Sequence, residues 1–343
     1  MADSPLTHAI RRLTEGGQLS GEETAAAFGV VMRGEATPPQ IAALLIGLRV
    51  RGESAEQVAG AAQTLREVMQ TVRLPAGAPV IDTCGTGGGA IGTFNLSTAA
   101  AIVAAGAGAR VAKHGNRSYT SNCGSADLIE ALGLEITLTP ERAGEVLERA
   151  GMVFLFAPAF HPAMKHVTPV RRELAVPTVM NLIGPLANPA GVSRQVIGVA
   201  DRDRAPLMAE ALARLGTAHA LVVHAEVGMD EISPDGCTLV WEIRNGFITH
   251  WSLDPAVYDL AHAGLEGLAG GAPAANAARV VHLLEGGEDP VGRAALLLNS
   301  AAAIYVAGLE STFGAAVGRA RQALLEGSAF QALERLRREL GKK

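Results

Sequence analysis

Aromatic residues make up only 4% of this 343-residue chain, and it has three cysteines, Cys84, Cys123 and Cys237. Cysteines so few and so scattered exclude a disulfide framework and a Cys-x-x-Cys metal site, and a reducing compartment is their simplest setting. With so little aromatic surface, the core must be built mainly from Ala, Leu and Val. An excess of positive charge is also missing. The net charge is -5 and the pI about 6.0, which argues against non-specific binding to nucleic acid or to an anionic membrane. No uninterrupted apolar run reaches the roughly 18 residues of a membrane span. The opening MADSPLTHAIRRLTEGG lacks the charged-then-apolar pattern of a secretory signal. The expectation is a cytoplasmic protein with no nucleic-acid or membrane partner.

What is present is 48% hydrophobic residues, 40 glycines and many alanines, a globular composition suited to close helix packing. The chain is long enough for two lobes. Its first part reads as helices. Ser20 with Glu23, Thr37 with Gln40, and Ser54 with Gln57 have capping-box spacing before apolar segments, and Pro38 suits a first helical position. At RLPAGAPVIDTCGTGG the pattern changes: Pro75 and Gly77 break the helix and PVIDT reads as a buried strand. ARVAKHG, MVFLFAP, RQVIGVA and HALVVHAE then alternate with helical segments, which indicates an α/β sheet with crossover helices. TLVWEIRNGFITHWSL reads as a hairpin turning at Asn245-Gly246. From about Asp289 the chain reads as helical, with a further capping box at Ser328 and Gln331. The fold class is therefore α/β, a small all-helical lobe plus a larger α/β lobe with a mainly parallel central sheet. Residues 1–72 form the helical lobe, completed by a Pro-rich helical segment around 163–190, and residues 73–343 form the α/β lobe.

Three segments carry chemistry. GTGGGAIGTFNLST, Gly85–Thr98, is a glycine-rich loop between a strand and a helix that begins near Ser97. Such a loop lets backbone N–H groups close around an anion, and the helix aims its positive end at the same place. Gly85-x-Gly87-x-x-Ala90 outlines a dinucleotide fingerprint, but that reader needs an acidic residue about 20 positions onward. From Thr83 to Ala126 there is no Asp or Glu, while Arg110, Lys113 and Arg117 fall in the same stretch. Phosphate-type anions fit better than a nicotinamide nucleotide. The second segment, KHGNRSYTSNCGSAD, leaves a strand at its C-terminal edge, where ligands bind in open α/β sheets. In the third, GMDEISPDG, Asp230 and Glu231 are adjacent carboxylates following a strand. A polyphosphate in an acid-free pocket needs Mg²⁺, which takes one or two carboxylates plus phosphate oxygens.

Taken together and in order, GTGG with TFNLST, KHGNR with GSAD, HPAMKHVTPVRREL, NLIGPLANP and DEISP give a chain that resembles the anthranilate phosphoribosyltransferases over nearly its whole length. The resemblance implies a nucleoside phosphorylase/phosphoribosyltransferase-like fold and a homodimer through the helical lobe. It also implies transfer of the phosphoribosyl group from phosphoribosyl pyrophosphate to the amine of anthranilate, with release of pyrophosphate, in tryptophan biosynthesis. By resemblance, phosphoribosyl pyrophosphate is held by Gly85, Gly88, Gly89, Thr93, Asn95, Leu96, Ser97, Thr98 and Lys113. The same set continues through His114, Gly115, Asn116, Arg117, Ser118, Tyr119, Thr120, Ser121 and Ser125. Ser97, Asp230 and Glu231 match Mg²⁺ positions, with two ions implied per site. Gly85, His114, Asn116, Arg171, Gly184 and Pro185 match anthranilate-contacting positions, and His114 is a candidate for assisting proton loss. The chain departs from the pattern where the family usually reads GTGGDG, because Gly89 stands in place of the acidic residue. A nucleoside phosphorylase is the enzymatic rival, but its relatives carry a Lys-Ser-Gly-Arg type signature instead of KHGNR and GSAD. A non-catalytic nucleic-acid-binding paralogue would be expected to lose the Asp-Glu pair or gain a basic face.

Overall fold

Several helix starts are set locally, by side chains of Ser4, Ser20, Ser54, Thr139, Asp289 and Thr312. The computed structural model describes residues 4–74, 77, 79–89, 91–118 and 122–341; Pro75, Ala90, Tyr119, Thr120 and Ser121 lie outside them. Four helices come first: α1 (Pro5–Thr14), α2 (Gly21–Met32), α3 (Pro38–Arg51) and α4 (Ala55–Val68). Ser20 and Ser54 form complete capping boxes with Glu23 and Gln57. At Thr37 only the returning half forms, with Gln40 accepting from the Thr37 N–H at 3.0 Å.

The sheet strands alternate with helices as follows: β1 (Val80–Gly85), α5 (Leu96–Gly106), β2 (Arg110–Gly115), α6 (Ser125–Ala131), α7 (Pro140–Ala150) and β3 (Met152–Phe156). Three short helices, α8 (Ala157–Phe160), α9 (Thr168–Leu174) and α10 (Met180–Leu186), precede β4 (Arg194–Gly198). Then come α11 (Ala205–Arg214), β5 (His219–Ala225), β6 (Thr238–Arg244) and β7 (Phe247–Leu253). The chain ends in α12 (Pro273–Leu284), α13 (Pro290–Ala307), α14 (Phe313–Leu325) and α15 (Ser328–Leu340).

The strands form one seven-stranded sheet in the order β3-β2-β1-β4-β5-β6-β7. The first five are parallel, while β6 and β7 add an antiparallel hairpin that turns at Asn245 and Gly246, both with positive φ. Strand order reverses at β1, which has β2 on one side and β4 on the other. That reversal opens a crevice at the C-terminal ends of β1 and β4, the place where open α/β sheets bind ligands.

Two apolar cores flank the sheet. On one side, α5 and α13 pack through small side chains such as Ala99, Ala100, Ala101, Ala301, Ala302 and Ala303, all buried. On the other, α11 and the inward residues of β4 and β5 join α1–α4, with Val170 of α9 and Ile183 of α10 in the same core. Among the described residues, α13 alone is long and apolar enough to cross a membrane, but most of it is buried inside the protein.

Two expectations need correction. Ser328 and Gln331 form no capping box: Gly327 is the N-cap, with positive φ, and the Ser328 hydroxyl donates to the Ala323 carbonyl. The downstream helical region also begins earlier than expected, because α12 precedes Asp289. Its apolar positions (Ala277, Val280, Leu283 and Leu284) have helical spacing and were legible.

Candidate functional site

The acid pair lies directly over the crevice. Gly198 ends β4 against the loop after β5, and a Cβ there would fall 1.6 Å from the Asp230 carbonyl oxygen. A Cβ on Gly85 would stand 3.1 Å from Asp230 Oδ2. Only glycine lets the two strand ends and the acid loop come this close. Gly87 and Gly88, both with positive φ, then turn the chain so that the Gly87 N–H donates to Asp230 Oδ2 at 3.1 Å. Glu231 accepts from the Ser97 N–H in the first turn of α5 at 3.1 Å and from the Thr93 hydroxyl at 2.6 Å. These carboxylates therefore sit on the anion-binding donors that the glycine loop and α5 provide.

Beneath them Lys113 is buried, 1% exposed, and donates to the Thr83 carbonyl and to Ser97 Oγ. Burial lowers its pKa, with Asp82 as the largest opposing influence. Burial raises both acids above the ordinary carboxylate range; for Glu231 the Asp230 charge adds to this and takes it to about 7. Both acids remain partly open to the cleft. Such a pair gains by receiving a divalent cation, which removes the repulsion between its members. Among the described residues, no cluster of three or more His, Cys, Asp or Glu side chains could hold a metal by itself. Two hard oxygen donors beside a loop of N–H donors suit Mg²⁺ completed by phosphate oxygens, not a closed protein cage.

The sequence-derived residues separate into three groups. Gly85, Gly89, Thr93, Ser97, Lys113, Asp230 and Glu231 come together around this crevice. Asn95 and Arg117 pair with groups outside the crevice, and Leu96 and Thr98 are packed in the interior. Asn95 Nδ2 donates to the Cys123 carbonyl while its Oδ1 accepts from Asn276. Leu96 and Thr98 are fully buried. Arg117 pairs with Asp127 at 2.7 Å and Glu130 at 2.6 Å. In the third group, Gly115, Asn116, Ser118 and Ser125 form the turn into α6, where Ser125 Oγ donates to the Asn116 carbonyl and Asn116 Oδ1 accepts from the Arg117 N–H.

A second cluster lies at the ends of β2 and β3. The His114 ring stands 5.1 Å from that of His161, and the Gly184 backbone lies against His114. Pro185 is fixed by Gln195 Nε2 on its carbonyl at 3.0 Å. Asp82, fully buried, accepts the His114 N–H. His114 Nε2 is buried without a well-formed hydrogen bond among the described residues, and the Ala187 backbone lies against the buried His161 ring. Arg171, half-buried, comes from α9, whose Val170 is anchored in the helical-lobe core.

Sequence reading missed His161, Asp82, Asn276 and Asn299. The rule that located KHGNR, polar residues at a strand's C-terminal edge, would also have found His161 in FHPAMKH. The others are revealed only by long-range contacts.

Both imidazoles are held neutral. Burial, then His161 and Lys113, lower His114 to about 3, and burial lowers His161 to about 4. An unfolded histidine protonates near 6.5, so below that pH the unfolded chain binds more protons and stability falls as the medium is acidified. The largest possible slope is about 1.4 kcal/mol per pH unit for each histidine. In His161→Phe, urea midpoints at pH 7 and pH 5 should lie closer together than in the parent protein. An unchanged spacing would remove His161 from the explanation.

Known proteins share both parts of this fold. The helical bundle domain of a glycosyl transferase family matches residues 7–69, and the a/b domain of the same family matches residues 77–330. The chain is 48% identical over 330 residues to the anthranilate phosphoribosyltransferase of Rubrobacter xylanophilus, covering 96% of each protein. It superposes on the anthranilate phosphoribosyltransferase of Thermus thermophilus with a TM-score of 0.91 at 44% identity, covering 96% of this chain and 98% of that one. The Saccharomyces cerevisiae enzyme in complex with PRPP and Mg gives a TM-score of 0.90 at 29% identity, with 98% of both chains covered.

Proposed function

Because the chain belongs to the anthranilate phosphoribosyltransferase family, we propose the following division of labour in its crevice. The protein transfers a phosphoribosyl group from phosphoribosyl pyrophosphate to the amine of anthranilate and releases pyrophosphate. The observation that carries the site reading is that the acid pair is seated on the N–H groups of Gly87 and Ser97. One small region thus offers anion donors and metal-binding carboxylates together.

Positive charge develops on the ribose as pyrophosphate leaves, and the departing oxygens need preorganised donors. Gly85, Gly88 and Gly89, the Thr93 and Ser97 hydroxyls, and the first turn of α5 supply them, with Lys113 as buried positive charge behind. Asp230, Glu231 and Ser97 would hold Mg²⁺, two ions per site, which when bound neutralises the diphosphate. Asn116 and Arg171 orient anthranilate, with His114, Gly184 and Pro185 lining its pocket; Arg171 grips the carboxylate so that the amine faces the anomeric carbon. His114, held neutral by burial, is the candidate for assisting loss of the amine proton. Gly115, Arg117, Ser118 and Ser125, together with Tyr119, Thr120 and Ser121, complete the phosphoribosyl pyrophosphate-binding set that the resemblance implies. Asn95, Leu96 and Thr98 hold the start of α5.

The working form is a homodimer through the helical lobe, as the family resemblance implies. The setting is cytoplasmic, consistent with the free thiols of Cys84, Cys123 and Cys237. Loss of anthranilate fluorescence on adding phosphoribosyl pyrophosphate and Mg²⁺ tests the activity; no loss at any Mg²⁺ concentration contradicts it.

Gly89 adds a prediction specific to this chain. A Cβ there would lie 3.0 Å from Asp230 Oδ1, so a carboxylate at this position would crowd an acid pair already raised by burial. Gly89→Asp should shift the Mg²⁺ concentration of maximal turnover severalfold, and by more than Gly89→Ala, which adds the same Cβ without a charge. Superimposable Mg²⁺ profiles for Gly89→Asp and the parent would show that the position is neutral.

A further inference from the structure

The acid loop is gripped from behind by a residue that none of the chemistry above uses. Asn299 lies within the core helix α13 and is 6% exposed. Its Oδ1 accepts the Ile232 N–H at 3.0 Å, and its Nδ2 donates to the Ile232 carbonyl at 2.8 Å and to the Ala295 carbonyl at 2.9 Å. One carboxamide thus satisfies both backbone groups of the residue that follows Glu231.

A buried amide among the alanines and leucines of α13 is costly unless fully paired, and Asn is a poor residue for a helix interior. Here its pairing is complete and directed at the acid loop. The loop has little slack on its other side, since the Asp230 carbonyl is pressed against Gly198. With Thr83, Cys84 and Ser97, Asn299 also lines a hollow of about 10 Å³ next to Asp230 and Glu231. The carboxylates therefore stand between a glycine contact on β4 and an amide clamp from α13.

We propose that Asn299 is a positioning residue for the acid pair: through the Ile232 backbone it fixes where Asp230 and Glu231 stand to receive magnesium and pyrophosphate. This rests on the reading of the pair as the metal site. Outer residues that orient metal ligands typically change affinity by about 10–100-fold when removed.

The test uses the full-length protein and calorimetric titration of Mg²⁺ in the presence of pyrophosphate. Asn299→Leu keeps the branching and the number of heavy atoms, loses every hydrogen bond, and should weaken this binding about tenfold or more. The Mg²⁺ concentration for half-maximal turnover should rise in parallel while the KM for anthranilate stays within about twofold, since that substrate binds at other residues. Amide hydrogen exchange at Ile232 should accelerate. Asn299→Asp retains the acceptor for the Ile232 N–H but not the donor to its carbonyl, and provides the same readout if the leucine variant does not fold. Ala302→Gly weakens the same helix without touching the loop and should leave Mg²⁺ binding unchanged.

Binding by both Asn299 variants within twofold of the parent, or an equal loss in Ala302→Gly, overturns the proposal. Asp230→Asn with Glu231→Gln separates the two levels. If that variant loses Mg²⁺–pyrophosphate binding while the Asn299 variants keep it, only the positioning role fails. If it keeps binding, the metal-site reading itself fails.

Discussion

Asp230→Asn combined with Glu231→Gln is expected to lower kcat/KM by at least about a thousandfold at any Mg²⁺ concentration, because metal neutralisation of a leaving diphosphate is worth several kcal/mol. The replacements keep size and shape. Each retains an oxygen that can accept from the Gly87 or Ser97 N–H, so the loop has no reason to collapse. What disappears is negative charge, and amide oxygens are weak ligands for Mg²⁺ compared with carboxylates. The variant should also resist heat at least as well as the parent at pH 8, because burial and mutual repulsion oppose ionisation of this pair. Glu231 shows the sign. Its folded pKa, about 7, lies above the ordinary 4.5, so the folded state holds the extra proton and stability falls as pH rises across that interval. Turnover within tenfold of the parent, measured by anthranilate fluorescence, would remove the acid pair from the site.

The second large effect is expected at Arg171. Arg171→Ala should raise the KM for anthranilate by at least about thirtyfold, since truncating one partner of a hydrogen-bonded charge pair typically costs about 2–5 kcal/mol. The KM for phosphoribosyl pyrophosphate should change by less than about threefold, because the diphosphate donors belong to the glycine loop and α5. Arg171→Lys should recover only part of the loss, as an ammonium cannot make the two parallel hydrogen bonds of a guanidinium. The observation against this assignment would be equal loss for both substrates, which would describe a general disturbance of α9.

Much of this was legible in the sequence because it is written in local chemistry. Ser20 and Ser54 announce their helices through partners three residues away, and Asn245-Gly246 announces its hairpin through the backbone conformation it needs. Strand ends adjoining glycine and polar runs marked the crevice, since parallel sheets bind ligands at that edge. Long-range pairing was hidden. The Asn95 amide links the Cys123 loop to Asn276, 181 residues away in sequence. Arg117 stood in an acid-free stretch, but Asp127 and Glu130 just beyond it take up its charge. Asn299 gave no signal because its partner is a backbone 67 residues distant, and no pattern in sequence marks a side chain that pairs with a peptide group. His161 failed for a different reason: it obeyed the strand-edge rule but lay in a segment read only as a Pro-rich return to the helical lobe.

The most direct test is a crystal structure with phosphoribosyl pyrophosphate and magnesium bound. The proposed site predicts diphosphate oxygens within hydrogen-bond distance of the glycine turn and the first turn of α5, with density for metal beside Asp230 and Glu231. Diphosphate bound well away from both the turn and the acid pair would contradict it.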